Sequence, residues 1–205
     1  MAADSVISLR GSAEIITEFF TLTGNILFVY ARSILFQRGI YPPEDFKKIK
    51  CYGLSLLVSC DSSLQAYLSK VMAQLTCWLE QKALQRFVLV LSDIDSRHVV
   101  ERWQFDVFVE DCSNNTNGKK LEEIRKEIQA VIRQITASVT FLPILEGNYS
   151  FDLLVYTDKK KTTEIPEEWE DSDSRYVQNA DHVRLRSFST SFHKVEPTVA
   201  YKVTI

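Results

Sequence analysis

The chain has 205 residues, with 24 Lys and Arg against 27 Asp and Glu, a net charge of −3 and 45% hydrophobic residues. A chain of this size fits one globular domain and buries about 70% of its unfolded surface without needing disulfides or a metal. The composition excludes a collagen-like or wholly disordered chain, and the charge argues against a strongly basic nucleic-acid-binding protein.

The cysteines and the N-terminus indicate a cellular compartment. The four cysteines are scattered without a C-x-x-C pair, which is typical of reduced thiols in a cytosolic or nuclear protein. The N-terminus lacks a basic segment leading into an apolar one. The longest apolar run near it, residues 26–31, is far short of the roughly 20 residues that span a bilayer. We therefore expect a soluble intracellular protein that binds no membrane.

Motifs for catalysis or cofactor binding are missing. All six glycines are isolated, so neither a P-loop nor a dinucleotide fingerprint is present, and no Ser stands in a G-x-S-x-G elbow. The histidines His98, His182 and His193 lack metal-ligand spacing. Asp93 and Asp95 fit a turn better than a calcium loop. A Cys–His pair remains an open alternative without support. The sequence predicts no enzyme, metal or cofactor.

Apolar spacing predicts three helices. The first, over 12–37, is apolar on most of its circumference, which is typical of a buried helix. The second begins at Ser62, whose capping box with Gln65 precedes an apolar face that continues to Leu79. The third runs from about residue 119 to 136, with an inward apolar face and a solvated acidic and basic face.

Strands follow from alternating apolar residues or short apolar runs at 87–91, 102–109, 149–155, 183–192 and, after Pro197, 199–205. The first two form a hairpin around Asp93–Arg97. We expect Trp103 on the second of these strands, and Trp78 on the second helix, to be packing residues. The order of elements argues for an α+β fold with helices on one face of the sheet.

The segment from Thr157 to Asp181 is too long for an ordinary connection in a compact domain. Six acidic residues between Glu164 and Asp173 make it solvated. One interpretation is a disordered acidic loop. The alternative is a strap that docks its few bulky side chains on the body of the domain: Ile165, Trp169, Tyr176 and Val177.

Six segments, in this order along nearly the whole chain, resemble the spindle-checkpoint branch of the HORMA family: Leu9–Ile15, Gln37–Pro42, Glu101–Asp106, Val131–Ala137, Val139–Pro143 and Val183–Phe188. One such motif is weak, but six in register are specific. The chain departs from the family pattern at Thr21–Arg32, which is about seven residues longer, or almost two helical turns. It also departs at the tail, where apolar Val203–Ile205 replaces polar residues.

The resemblance implies a HORMA-like α+β fold, with three helices packed on one face of a mainly antiparallel sheet and a mobile C-terminal safety belt. The whole chain, 1–205, would be one domain, with its core at about 9–157 and the belt at about 158–205. A partner peptide would join the sheet as an added strand beneath the belt. The belt would change its pairing between an open and a closed fold.

The resemblance also assigns residues. The edge that receives the peptide would carry Tyr149, Phe151, Leu153, Val155 and Tyr156. The belt would use Ile165, Trp169, Tyr176, Val199, Tyr201 and Val203, with Trp169 as its anchor. A surface for dimerisation and for an adaptor would carry Arg133, Gln134, Phe141 and Arg186, although most arginines on helices are merely solvated.

The partners implied are a coiled-coil kinetochore receptor, the activator subunit of the anaphase-promoting complex, a comet-type adaptor, an AAA+ remodeller and an open–closed homodimer. The setting would be the nucleus and cytoplasm, with kinetochore and spindle binding in mitosis. The alternative is another HORMA clasp, such as a translesion polymerase accessory subunit or a meiotic axis protein. The strand Arg102–Asp106 and the compact length favour the checkpoint branch. We further expect residues 198–205 to be needed for capture but not for folding.

Overall fold

The computed structural model describes residues 46–51, 54–60, 62–109, 120–138, 140–145, 147–162, 165–167, 169–189 and 193–203. Several sequence predictions lie outside these ranges. They are the helix over 12–37 with its longer segment at 21–32, the motifs at 9–15 and 37–42, and the last two residues.

Two of the three predicted helices are confirmed within the described residues. Helix α1 is Ser62–Glu80 and begins at the predicted capping box. Helix α2 is Leu121–Ser138. Glu122 and Glu123 lie in its first turn, where their negative charges interact favourably with the helix dipole. The inward face of α2 carries five side chains that are at most 1% exposed, namely Ile124, Ile128, Val131, Ile132 and Ile135.

The described strands are β1 Phe46–Cys51, β2 Leu54–Ser59, β3 Leu84–Asp93, β4 Val99–Val109, β5 Tyr149–Thr157, β6 Ala180–Arg184, β7 Phe188–Ser189 and β8 His193–Lys202. Strands β1 and β2 pair antiparallel as a separate hairpin that the sequence analysis did not predict. Its sequence marker is the two-residue connection ending in Gly53, between alternating segments, which is a common hairpin pattern.

The main sheet is antiparallel at every described pairing and has the order β5–β3–β4–β8–β6, with β7 also paired to β8. Phe87 of β3 lies opposite Phe105 of β4 and Val155 of β5, so these three side chains point to one face. That face carries the core cluster shared with α1 and α2. The α+β prediction, with helices on one face of an antiparallel sheet, is confirmed.

Both faces of the central strands are covered. Trp103 is 1% exposed on the helix side, as predicted for a packing residue, and its Nε1 donates to Glu101 Oε2 at 3.3 Å. Val88 and Val90 alternate with the helix-facing residues, so they point to the opposite face, yet each is fully buried. Val109, at the end of β4, alternates in phase with Trp103 but is 37% exposed.

The prediction of one strand over 183–192 and another beginning after Pro197 is wrong in its boundaries. Pro197 lies inside β8. Opposite Glu196 and Pro197, the segment that joins β6 to β7 interrupts the strand pairing with β8. Proline has no N–H to donate across a ladder, so a break on that side costs little. Leu185 N still donates to Pro197 O at 3.0 Å.

The turn after β3 is confirmed. Asp93 accepts a hydrogen bond from Ser96 N at 2.6 Å, and this bond lowers the pKa of the Asp93 carboxyl from 3.8. Across the described ranges, no helix combines the length and the apolar character that crossing a membrane requires.

Candidate functional site

Strand β5 lies at one end of the main sheet. Its sheet neighbour among the described residues is β3, with a register that runs from Leu84 opposite Thr157 to Asp93 opposite Tyr149. The C-terminal strands β6 and β8 lie at the other end, beyond β4. An edge strand presents a row of backbone N–H and C=O groups that can pair with another chain.

The five residues predicted for this edge all lie on β5, but they point to both faces of the sheet. Phe151, Leu153 and Val155 are half-buried and pack against the core on the helix side. Tyr156 points to the opposite face, where the Arg86 guanidinium lies 5.3 Å from its ring centroid.

The chain that leaves β5 is held at once by the short segment that joins α1 to β3. We call residues 158–179 the strap. Asp158 N donates to Ala83 O at 2.8 Å, and Lys161 N and Thr162 N donate back to Asp158 O at 2.9 and 3.0 Å. Lys161 Nζ also approaches Lys82 O at 3.4 Å. The strap therefore starts from a fixed turn beside the last residues of α1.

Trp169 docks the strap on the helix layer. Its ring meets Trp78 of α1 edge-on, with centroids 5.0 Å apart and an interplanar angle of 70°. Trp78 is 3% exposed and Trp169 is half-buried against the core. Trp169 N donates to Pro166 O at 2.9 Å. This contact favours the docked strap over a disordered loop, with Trp78 as the packing residue that the sequence predicted.

Further along, the strap contacts the sheet face that points away from the helices. Arg102 of β4 donates from Nε to Ser174 O at 3.2 Å, and its guanidinium lies 4.8 Å from the Tyr176 ring centroid. Arg175 pairs with Asp152 of β5. Arg102 and Asp152 alternate with the core-facing residues of their strands, so these contacts lie on the sheet face away from the helices, whereas Trp169 contacts the helix layer.

Docking is uneven along the strap. Ile165 is 60% exposed and Tyr176 is 64% exposed, so neither is buried as a docked side chain. Between residues 164 and 173, the acidic residues whose exposure is described face solvent: Glu167, Glu170, Asp171 and Asp173. This exposure agrees with the predicted solvation of the segment.

The belt residues at the C-terminus lie within the sheet, on β8 between β4 and β6, rather than outside the core. Val199 is fully buried between Trp103 of β4 and Val183 of β6, and Tyr201 is half-buried on the same face. Residues 198–202 therefore belong to a strand that is paired on both sides. Val203, beyond the end of β8, is 37% exposed.

His193, at the start of β8, is fully buried. Its pKa falls from 6.5 to about 4, chiefly because burial disfavours the charged imidazole and secondly because of the charge of Lys82.

The four residues predicted for a dimer and adaptor surface fall on α2 and the segments beside it. Gln134 Oε1 accepts a hydrogen bond from Arg186 N at 2.6 Å, which brings these two residues together. Arg133 and Arg186 are exposed, and Phe141, after α2, is 51% exposed. Gln134 is half-buried, and its side chain connects α2 to the backbone of Arg186.

Three residues without a role predicted from the sequence connect the strap to the sheet: Arg102, Asp152 and Arg175. The sequence around each of these residues does not predict the contact, because the partners are 72 and 23 residues apart and meet only through the strand order.

Within the described ranges, no three His, Cys, Asp or Glu residues are arranged to hold a metal ion. A cleft of about 400 Å³ lies at the Tyr149 end of β5, and its lining includes His98, Glu101, Tyr149 and Tyr201.

Residues 12–193 match the model of the HORMA domain. The mitotic spindle assembly checkpoint protein MAD2A of Dictyostelium discoideum is 48% identical over all of this chain and 97% of its own length. The human MAD2A protein is 47% identical with the same coverage.

Solved structures agree with this relationship. A chain in the crystal structure of the mitotic checkpoint complex superposes with a TM-score of 0.81 at 45% identity, covering 95% of this chain and 100% of that one. Caenorhabditis elegans HTP-2, solved with a HIM-3 closure motif, is 15% identical with a TM-score of 0.72, covering 97% of this chain and 93% of that one, which shows a shared fold. The chain therefore belongs to the HORMA domain family, within its Mad2-type spindle assembly checkpoint branch.

Proposed function

We propose that this checkpoint protein clasps a partner peptide as an added strand on the outer edge of β5, beneath the strap. The observation that carries the proposal is the position of β8. It pairs with β4, on the far side of β3, while the strap starts at the end of β5 itself. In β-augmentation, backbone hydrogen bonds supply affinity and alternate side chains supply specificity. Phe151, Leu153 and Val155 on one face, with Tyr156 on the other, would flank the peptide.

The strap makes this site a clasp rather than an open edge. It contacts the helix layer through Trp169 and the opposite face through Arg175. A peptide enclosed by these contacts leaves only after they break, and the barrier is then that of local unfolding. Release is therefore slow, whereas an uncovered short peptide exchanges readily.

We further propose two folds that differ in the pairing of the C-terminal strands. We assign the described arrangement, with β8 on β4, to the closed fold. In the open one, the C-terminal strands would pair with β5 and occupy the edge that the peptide needs. Support comes from β8 itself, whose alternating pattern is compatible with pairing at either β4 or β5. The two folds would then be alternative packings of similar free energy.

The partners proposed from family membership are a coiled-coil kinetochore receptor and the activator of the anaphase-promoting complex, each supplying a peptide. Capture of the activator would help to inhibit ubiquitin ligation until chromosomes attach. This role needs no catalysis, cofactor, nucleic acid or membrane. The structural match to a chain of the mitotic checkpoint complex supports binding to protein partners. The protein would act at kinetochores and the spindle in mitosis and otherwise occupy the nucleus and cytoplasm.

A second surface would join an open to a closed copy, and would also bind a comet-type adaptor that acts with an AAA+ remodeller. It would consist of Arg133, Gln134, Phe141 and Arg186. Support comes from the hydrogen bond between Gln134 and Arg186 N, which places α2 beside the segment before β7, and from the exposed ring of Phe141.

Hydrogen exchange of β5, with and without an activator-derived peptide, tests the edge. Binding should protect backbone amides within Tyr149–Thr157, while the separate β1–β2 hairpin stays unchanged as an internal control. Unchanged exchange in β5 despite measurable binding would overturn the site. A pull-down from mitotically arrested cells tests the partner, because recovery of the activator supports the checkpoint role and recovery of a polymerase subunit the alternative.

A further inference from the structure

Arg102 is a charged residue with an unusually buried position. It lies in the middle of β4 and is only 4% exposed, although arginine is seldom buried without partners. A buried guanidinium that lacks partners is costly, so the groups around it determine which arrangements of the chain are stable.

Those groups come from three parts of the chain. Within the sheet, Nη1 donates to Gln104 Oε1 and Nη2 donates to the Tyr156 hydroxyl of β5 at 3.3 Å. The strap supplies the other two contacts, the Ser174 carbonyl 3.2 Å from Nε and the Tyr176 ring 4.8 Å from the guanidinium. Arg102 therefore connects the strap to β4 and to the edge strand β5.

The strap backbone between these two contacts has a conformation that depends on its neighbours. Arg175 has a φ of 45°, in the left-handed region that non-glycine residues seldom adopt. Such a conformation persists where flanking contacts hold it. Here Ser174 and Tyr176, the residues on either side, both contact Arg102.

We propose that Arg102 is the latch of the strap. It fixes Ser174–Tyr176 on the sheet face away from the helices, and thereby sets how often the strap opens. Opening would remove two of the contacts of a buried guanidinium, which makes the closed position favourable without any contact to the peptide. The part of this proposal that concerns peptide release depends on the proposed function, and the part that concerns strap opening does not.

Trypsin cleavage in the free chain measures strap opening directly. Arg175 is exposed, and the bond that follows it is cut when the strap detaches, at a rate that tracks the open population. Tyr176→Leu removes the ring, and we expect cleavage after Arg175 to become about 2- to 5-fold faster. Arg102→Lys keeps the charge but loses the planar guanidinium and its hydrogen bonds. For this variant we expect cleavage after Arg175 to become about tenfold faster or more.

Tyr176→Phe is the matched control, because it keeps the ring beneath the guanidinium, and its cleavage rate should equal that of the parent. Rates are divided by those of the same variants unfolded in urea, which removes any preference of trypsin for residue 176. Since Tyr176 is largely exposed, its variants test the latch even if Arg102→Lys folds poorly. Parental cleavage rates in both Tyr176→Leu and Arg102→Lys would overturn the latch.

The release rate of a captured activator peptide then separates the two proposals. A faster off-rate in Tyr176→Leu, by the factor seen in cleavage, supports the latch as a determinant of release. An unchanged off-rate despite faster cleavage would overturn that part. If no peptide is captured by the parent chain, the proposed function fails, while the cleavage rates still decide the latch.

Discussion

The rings of Trp169 and Trp78 meet edge-on, with their centroids 5.0 Å apart, and join the acidic strap to the last turns of α1. Edge-to-face aromatic pairs are favourable by about 0.5–1.5 kcal/mol beyond the area they bury. Because Trp78 is almost fully buried, it offers a rigid surface, and the docking of the strap depends mainly on Trp169.

Replacement of Trp169 by Ala should accelerate the release of a captured peptide. Truncation of a fully buried Trp costs about 3–5 kcal/mol, and half-burial of this ring lowers the expected cost to about 1–3 kcal/mol. Much of the loss should affect the off-rate, because the strap contact forms after encounter. Stopped-flow competition with unlabelled peptide measures that rate. Trp169→Phe is the control that retains a ring, and an off-rate that is the same in Trp169→Ala and the parent would contradict the docking role.

Deletion of residues 198–205 should abolish peptide capture and also lower the melting temperature. The deleted part of β8 includes fully buried Val199, whose burial stabilises the fold by about 1.5–3 kcal/mol. For a chain of this size that corresponds to a fall in melting temperature of about 3–12 °C. The melt should stay cooperative, because the packing among Phe87, Phe105 and Ile128 is retained.

Deletion of residues 203–205 alone is the matched control for this truncation. Val203 lies beyond the end of β8, so capture and melting temperature should remain close to those of the full chain. Calorimetry and a peptide pull-down on the same samples measure both quantities. Normal capture by the chain that ends at Pro197 would show that the C-terminal strand is not part of the clasp.

Reversal of charge at Arg133 should weaken self-association without unfolding the chain. Arg133 is exposed on α2, so Arg133→Glu should leave the melting temperature within a few degrees of the parent. Light scattering on mixed open and closed forms should show monomers where the parent forms dimers. An undiminished dimer peak would exclude Arg133 from the interface.

Gln134→Ala should behave differently from Arg133→Glu. Loss of its Oε1 removes the acceptor for Arg186 N, at a cost of about 1 kcal/mol in unfolding free energy. A double variant of both residues therefore mixes an effect on the interface with an effect on stability. Urea unfolding of the two single variants separates these effects, and equal stability of Gln134→Ala and the parent would argue against the hydrogen bond.

Stability should fall as the pH is lowered below 6.5, through His193. Its pKa is lowered to about 4 in the folded chain, so between these values the unfolded chain binds a proton that the folded chain excludes. The contribution of the neutral imidazole is complete above pH 6.5 and is lost as the pH falls toward about 4, by about 3 kcal/mol in all.

Urea unfolding at about pH 7.5 and about pH 5 measures this dependence. His193→Gln, which does not titrate, should show a smaller loss over this interval than the parent chain. His182→Gln, at an exposed position of β6, is the control and should lose as much as the parent. An equal loss in His193→Gln and the parent would rule out His193 as the source.

Much of the fold follows from the local pattern of residues. The capping box at Ser62 and Gln65 begins α1, the apolar spacing of Ile124, Ile128 and Ile132 defines the buried face of α2, and alternation places β4 and β5. Such patterns need only near neighbours, because helix and strand periods decide which side chains share a face. The motifs along the chain likewise identified the family before any contact was known.

The tertiary structure decided where the C-terminal strands pair and what the strap contacts. Alternation in β8 predicts a strand, but the same pattern fits the edge of β4 or of β5, and Pro197 falls inside the strand because its missing donor lies opposite a break in the ladder. Arg102 and Tyr176 are remote in the sequence and meet only because the strap reaches the sheet face away from the helices. Long-range pairing depends on the free energies of competing packings, and no local pattern records that difference.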